Sequence, residues 1–142
     1  MKYKKTKISS NEYLIASIQD DLSLYTVGLE EEIAYTIFSF KLQKVGLARS
    51  LNRDQLFQFF AEFNPDNIKE SGLITTRIVG GNDSEISKDT LKNLLKQLNA
   101  IDGGNNIINI KSCDTCDKIH PNSFEIDCYH GGIRAIDSVN ND

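Results

Sequence analysis

The sequence has 142 residues and contains no tryptophan, one methionine, two prolines and two histidines. It has no apolar run that approaches the roughly 20 residues of a transmembrane helix, so no membrane span is expected. Ile8 is followed directly by the polar residues Ser9, Ser10, Asn11 and Glu12. Because a secretory signal needs a longer apolar segment, a cytoplasmic location is expected.

The sequence also lacks an excess of basic residues. It has 16 Lys and Arg against 20 Asp and Glu, which gives a net charge of -4. The basic residues are scattered except for Lys2, Lys4, Lys5 and Lys7. A nucleic-acid partner is therefore not expected, because binding phosphates requires a basic face.

No internal repeat, low-complexity block or proline-rich linker divides the chain. Its length and its 39% content of hydrophobic residues suit one hydrophobic core. We therefore expect residues 1–142 to form a single domain. Residues 1–8 and 137–142 are expected to be flexible tails.

Hydrophobic patterns predict strands in the first third of the chain. Residues 12–18 and 24–27 read as short strands, and residues 33–40 are apolar on both faces, which is typical of a central strand. The segment 44–46 is interpreted as a turn that leads into a strand at 47–51. The first helix should start at about Arg53, since the apolar spacing changes there to that of a helix.

The rest of the chain adds a second helix and further strands. The first helix should end before Pro65, and the second should span about residues 87–98, with Asp83 or Ser84 as its N-cap. The expected apolar stripe of the second helix is Leu91, Leu94, Leu95 and Leu98. Strands are predicted at residues 73–79, 106–110, 124–129 and 133–136. This order predicts an α+β fold with a mixed β-sheet core and two flanking helices.

Residues 26–38 and 44–51 carry a pattern that is found in a known family. They read Thr-Val-Gly-Leu-Glu-Glu-Glu-Ile-Ala-Tyr-Thr-Ile-Phe and Lys-Val-Gly-Leu-Ala-Arg-Ser-Leu. These segments resemble the CheD family of chemoreceptor glutamine deamidases, as does the strand that ends at Gly80-Gly81. In this alignment Thr26 matches a threonine of the family's site, Glu32 replaces the catalytic cysteine and Arg49 replaces the catalytic histidine.

The resemblance implies a protein without the family's chemistry. In the family, a cysteine thiolate attacks a glutamine amide, and a histidine polarises the thiol and protonates the departing ammonia. Arg49 keeps its proton and cannot act as a base, and the Glu32 carboxylate is a poor nucleophile towards an amide. We therefore expect a CheD-like pseudoenzyme, a binding or regulatory module related to chemotaxis proteins. The implied partner is a chemoreceptor helix or a chemotaxis phosphatase.

Glu32 and Arg49 are oppositely charged, so we expect an ion pair that fills the former site. Glu30 stands where the family has a glycine, and its side chain is expected to crowd or rearrange the turn. Two alternatives stay open. If the alignment is shifted by a residue, Glu30, Glu31 and Glu32 form a solvated acidic turn. If another cysteine is the nucleophile, the chain is a diverged protein-glutamine deamidase or a related hydrolase.

All three cysteines and both histidines lie within residues 113–130. Such a cluster is one of three things: a structural zinc site, a reversible Cys113–Cys116 disulfide, or ordinary structural residues without a ligand, which is the preferred interpretation. Zinc is the cofactor that the cluster suggests; no other is expected. The odd number of cysteines favours a reducing compartment. The candidate metal ligands are Cys113, Cys116, His120, Cys128 and His130.

Overall fold

The computed structural model describes residues 4–20, 22–115, 124–127 and 133–135. Two α-helices and one short 3-10 turn interrupt the strands in these residues. The predicted strand ends beyond residues 127 and 135, and the predicted tail at 137–142, lie outside the described residues. The elements are β1 (Lys4–Lys7), β2 (Glu12–Ser17), β3 (Leu22–Thr26), β4 (Ile33–Ser39), β5 (Lys44–Arg49), α1 (Arg53–Phe63), the 3-10 turn (Ile68–Glu70), β6 (Ile74–Gly80), α2 (Glu85–Asp102), β7 (Ile108–Thr115), β8 (Phe124–Asp127) and β9 (Ile133–Ala135).

The larger sheet has five strands in the order β2-β5-β4-β6-β7. Neighbouring strands are antiparallel except β6 and β7, which are parallel. A parallel pair needs a crossover connection, and α2 lies in it. β4 lies in the middle of the sheet and is buried along almost its whole length, so its prediction as a central strand is confirmed.

Both helices lie on one face of this sheet. α1 contributes Phe59, Phe60 and other apolar side chains to a core that includes Tyr35 of β4 and Leu94 of α2. α1 begins with a capping box in which Asn52 and Gln55 each accept a hydrogen bond from the other's backbone N–H. The mixed sheet and its two helices confirm the predicted α+β class.

α2 continues past its predicted end at about residue 98, and its last residue is Asp102. Its N-cap is Ser84, one of the two predicted candidates, and the Ser84 hydroxyl accepts a hydrogen bond from the backbone N–H of Ser87. Of the expected apolar stripe, Leu94 and Leu98 are buried and Leu91 packs against the core, whereas Leu95 is exposed.

The predicted turn at residues 44–46 is wrong, because these residues form the first half of β5. A Cβ atom at Gly46 would lie 2.7 Å from Cζ of Phe59. The glycine therefore makes room for an aromatic ring of α1 on the face of the sheet and does not reverse the chain. A glycine that admits a neighbouring side chain and a glycine that turns the backbone look the same in the sequence.

A second sheet, in the order β1-β3-β8-β9, covers the other face of the larger sheet. Leu24 of β3 and Ile8 pack there against Val45 and Leu47 of β5. β1 occupies residues that were expected to belong to a flexible tail. It pairs in parallel with β3, and the adjacent Ile8 is 1% exposed. Strand pairing and this buried apolar side chain hold the segment in place.

No helix in the described part of the chain is both long and apolar enough to cross a membrane.

Candidate functional site

The side chain of Arg49 connects the two sheets. Arg49 ends β5, and its side chain reaches the end of β3 and the loop that follows. Nη1 donates hydrogen bonds to Thr26 Oγ1 (2.9 Å) and the Val27 carbonyl (2.6 Å). Nη2 donates to the Gly28 carbonyl (3.0 Å) and to Glu32 Oε1 (2.9 Å). The four Nη hydrogens of the guanidinium group therefore all have acceptors.

Arg49 is almost completely enclosed, with 7% of its surface exposed. Its Nε is buried and has no hydrogen-bond partner among the described residues. A buried arginine is costly to desolvate unless it is paired and hydrogen-bonded. The four acceptors supply that compensation, so the guanidinium is bound in one orientation and is not available to move a proton.

Thr26 is fully buried at the end of β3. Its hydroxyl donates a hydrogen bond to the Ile8 carbonyl (3.0 Å) and accepts one from Arg49. Both functions of the hydroxyl are thus used within the protein. Thr26 connects the backbone next to β1 to the guanidinium and has no proton left for a substrate.

Glu32 forms the predicted ion pair with Arg49, which is confirmed at 2.9 Å. Its second carboxylate oxygen accepts a hydrogen bond from the Ser10 hydroxyl (2.6 Å). Burial alone would raise the pKa of the Glu32 carboxyl, but hydrogen bonds from Arg49, Ser10 and Ser50 and the charge of Arg49 outweigh it and lower that pKa. The carboxylate is therefore held in its charged form.

The turn before Glu32 has an unusual backbone. Gly28 and Glu30 have φ values of +65° and +49°, in the left-handed region that glycine tolerates best. The Glu30 side chain is exposed, so it does not crowd the groups beneath the turn, and the expected rearrangement of the turn stays a prediction. The turn keeps a left-handed backbone at this position although a non-glycine residue occupies it.

Two glycines at the end of β6, Gly80 in the strand and Gly81 directly after it, lie against this turn. The backbone N–H of Gly81 donates to the Glu32 carbonyl (2.8 Å). A Cβ atom at Gly80 would lie 2.7 Å from that same carbonyl oxygen and 2.8 Å from Cδ1 of Leu29. A residue with a side chain at position 80 would therefore push the Glu32 backbone away from its place beside Arg49.

Thr26, Glu32 and Arg49 thus come together as the alignment implies, but their arrangement offers no nucleophile and no base. Arg49 uses its Nη hydrogens on four acceptors, Thr26 is hydrogen-bonded on both sides, and the Glu32 carboxylate is paired with Arg49. The alternative of a solvated acidic turn describes Glu30 and Glu31, which are exposed, but not Glu32, which is paired.

Sequence reasoning missed three of the groups that surround the pair. The carbonyls of Val27 and Gly28 accept half of the guanidinium hydrogen bonds, and Ser10 binds the free side of the carboxylate. Every residue has a backbone carbonyl, so the residue types in the sequence do not show which carbonyls accept hydrogen bonds from Arg49. Ser10 lies 22 positions from Glu32, so no local spacing connects the two.

The cysteine and histidine cluster falls mainly outside the described residues. Cys113 lies on β7 and is exposed, whereas Cys116, His120, Cys128 and His130 are not in the described ranges. Within the described ranges, no group of three or more His, Cys, Asp or Glu side chains is placed to hold a metal ion. The zinc site therefore stays a prediction.

Cys113 is far from the Arg49 network. β5 and β7 are separated in the sheet by β4 and β6. Neighbouring strands lie roughly 4.8 Å apart, which places Cys113 roughly 14 Å from β5. A thiol at Cys113 would therefore need a different site from the one built by Thr26, Glu32 and Arg49.

Comparison with known protein sequences relates this α+β chain to an uncharacterized relative. No model of a known protein family matches the chain. The uncharacterized protein RC0132 of Rickettsia conorii (strain Malish 7) is 54% identical over 68 residues, which cover 48% of this chain and 91% of the relative. The chain belongs to the same family as this Rickettsia protein.

The pKa of Glu32 makes the stability of the protein depend on pH. A carboxyl whose pKa is lowered in the folded state stabilises the fold above the ordinary carboxyl pKa, and that contribution is lost as the pH falls through the lowered value. We expect Glu32→Gln to cost about 1 kcal/mol at neutral pH and less at pH values below about 4. Urea unfolding at both pH values measures the difference.

Glu30→Gln is the matched control for this prediction, because the Glu30 side chain is exposed on the same turn. It should change the free energy of unfolding by no more than about 0.5 kcal/mol at either pH. An equal loss for Glu32→Gln at neutral and acidic pH would show that the charge of Glu32 does not stabilise the fold.

Proposed function

We propose that this chain is a CheD-like binding or regulatory module in which a former deamidase site has become a structural ion-pair network. One observation carries the proposal: the guanidinium of Arg49 uses all four of its Nη hydrogens on Thr26, Val27, Gly28 and Glu32. Covalent amide hydrolysis needs a polarisable nucleophile and a base that titrates near neutrality. Neither Glu32 nor Arg49 has these properties.

The folding of the chain around this site supports the resemblance to the CheD family. The three segments that carry the resemblance are separate in the sequence, and they meet in space at Glu32. Its carboxylate binds Arg49 of the second segment, and its carbonyl binds the N–H of Gly81 in the third. A shared pattern is more informative when its parts build one site than when they are scattered over the fold.

The outer face of the same turn is the surface that we propose for a partner. Gly28, Glu30 and Glu31 are exposed there, while Arg49 and Glu32 beneath them are hydrogen-bonded within the protein. Two neighbouring carboxylates on a loop favour a partner surface that carries lysines or arginines. By the resemblance, that partner is a chemoreceptor helix or a chemotaxis phosphatase, and the protein acts in the cytoplasm.

The catalytic part of the proposal is tested by measuring ammonia release from a purified chemoreceptor cytoplasmic fragment that carries glutamines. We expect no release above the rate of the fragment alone, because the site has no thiol and no base. A turnover that Glu32→Ala abolishes would contradict the proposal directly. A turnover that survives Glu32→Ala and is stopped by iodoacetamide would replace it with a hydrolase that uses a cysteine outside this site.

The binding part is tested by titrating the same fragment with the chain in a label-free binding assay. We expect saturable binding that becomes weaker when Glu30 and Glu31 are both replaced by lysine, since like charges then face each other. The control replaces Asp54 and Glu62 of α1 by lysine, which changes the net charge equally on another element. Equal losses for both pairs would assign the binding to net charge and contradict a site on the turn.

A further inference from the structure

A cavity of about 240 Å³ lies on the helix side of the five-stranded sheet, between the start of α1 and the middle of α2. Its apolar walls include Ile33, Tyr35 and Leu94, and its polar rim includes Arg53, Asn93 and Gln97. Ile33 and Tyr35 belong to the helix-facing core, whereas Arg49 faces the second sheet. The cavity therefore lies on the opposite side of the sheet from Arg49, and Ser50, which hydrogen-bonds Glu32, is the residue at which the two adjoin.

Tyr35 is the unusual member of the lining. It is 98% buried, since 2% of its surface is exposed, and its hydroxyl has no hydrogen-bond partner in the described part of the chain. The polar side-chain atoms that are both unpartnered and sealed from solvent there are Arg49 Nε and Thr76 Oγ1. The Tyr35 hydroxyl is unpartnered without being sealed, so it opens into the cavity that Tyr35 lines.

Because the Tyr35 hydroxyl opens into the cavity, it offers a hydrogen bond to whatever occupies the cavity, either water or a ligand oxygen. Burial raises the pKa of the Tyr35 hydroxyl, so this group keeps its proton and is a donor. A ligand that displaces water from the cavity should therefore bring an acceptor to Tyr35. That acceptor should be neutral, because a charged group at that depth would be costly to desolvate.

The mouth of the cavity favours a negative charge. Arg53 is the one charged side chain in the lining, and it forms no ion pair in the described ranges. Its guanidinium lies over the ring of Phe57, 5.4 Å from the centroid, and has to turn from that ring to contact an anion in the cavity. It is also the first residue of α1, an eleven-residue helix. The capping box uses the backbone N–H groups of Asn52 and Gln55, which leaves those of Arg53 and Asp54 for an anion at the helix N-terminus.

We propose that this cavity binds a short-chain carboxylate that carries a neutral carbonyl a few bonds away from its charge. The carboxylate lies at the mouth, near Arg53 and the N-terminus of α1, and the carbonyl accepts a hydrogen bond from Tyr35. The methylene groups between them contact Ile33 and Leu94, and the Asn93 and Gln97 amides border the rim. The two sites adjoin at Ser50, which lines the cavity and hydrogen-bonds Glu32, but Tyr35 and Arg53 belong to the cavity alone and the proposal does not rest on the proposed function.

The test is an NMR titration of the full chain with three small probes, followed through the backbone amide signals. Levulinate has both groups, valerate lacks the keto carbonyl and levulinamide lacks the charge. We expect levulinate to bind with a dissociation constant on the order of 1 mM, as suits so small a molecule, and the other two to bind several-fold more weakly. The shifted signals should lie around Tyr35, Arg53 and Asn93.

Two variants separate the parts of the site. Tyr35→Phe keeps the ring in the core and should weaken levulinate about fivefold while leaving valerate unchanged. Arg53→Gln should weaken levulinate and valerate equally and leave levulinamide unchanged. Unchanged levulinate binding in a folded Tyr35→Phe protein would overturn the proposal. Saturable binding by none of the three probes would overturn it as well.

Discussion

Replacing Arg49 with methionine is expected to lower the free energy of unfolding by about 2–3 kcal/mol, because it leaves buried acceptors without their hydrogen-bond donor. The variant keeps most of the side-chain volume but leaves Glu32, Thr26 and the carbonyls of Val27 and Gly28 without their donor. It also removes the side chain that connects β5 to the end of β3. Urea unfolding at neutral pH measures the loss.

Arg53→Met is the matched control, because Arg53 is exposed and forms no ion pair in the described part of the chain. Its cation–π contact with Phe57, at 5.4 Å, is worth little at an exposed site, so we expect a change of about 0.5–1 kcal/mol. Similar losses for the two variants would mean that Arg49 contributes no more than a surface arginine. The structural interpretation of the network would then fail.

Gly80→Ala is expected to destabilise the fold by about 3 kcal/mol, since overpacking costs roughly 1–3 kcal/mol and a left-handed backbone adds roughly 1–2 kcal/mol for a residue with a Cβ. The added atom would lie 2.7 Å from the Glu32 carbonyl oxygen, at a residue whose φ is +91°. Relief of that contact requires the Glu32 backbone to move away from Gly81. Thermal and urea unfolding both report the loss.

Gly28→Ala isolates the steric part of this effect. Gly28 also has a positive φ, +65°, but a Cβ atom there would meet nothing within 4 Å. Its replacement should therefore cost only the backbone term of about 1 kcal/mol. If Gly80→Ala and Gly28→Ala lose the same stability, the close approach of β6 to the Glu32 turn does not constrain this site.

The parts of the fold that sequence analysis predicted correctly are those with a strong hydrophobic period. β4 is apolar on both faces and was expected at the centre of a sheet, where it lies. The Glu32–Arg49 pair was expected because two opposite charges fall at the positions that the resemblance brings together. In both cases the types of the side chains, apolar in β4 and oppositely charged at Glu32 and Arg49, were enough to make the prediction.

The parts that were missed depend on contacts between distant residues. The role of Gly46 is set by the ring of Phe59, thirteen positions later and on another element. β1 contains no apolar residue, and its place in the fold comes from pairing with β3. The Tyr35 hydroxyl has no hydrogen-bond partner among the described residues, which depends on the residues that pack around it in the core. Periodicity within one segment contains none of this information.

The central claim is that Glu32 and Arg49 stabilise the fold as a pair, and a double-mutant cycle tests it most directly. The free energies of unfolding are compared for the wild type, Glu32→Ala, Arg49→Met and the double variant. For a pair in direct contact with one partner partly exposed, we predict a coupling energy of about 1–2 kcal/mol in favour of the intact pair. A coupling energy of zero within error would contradict the claim.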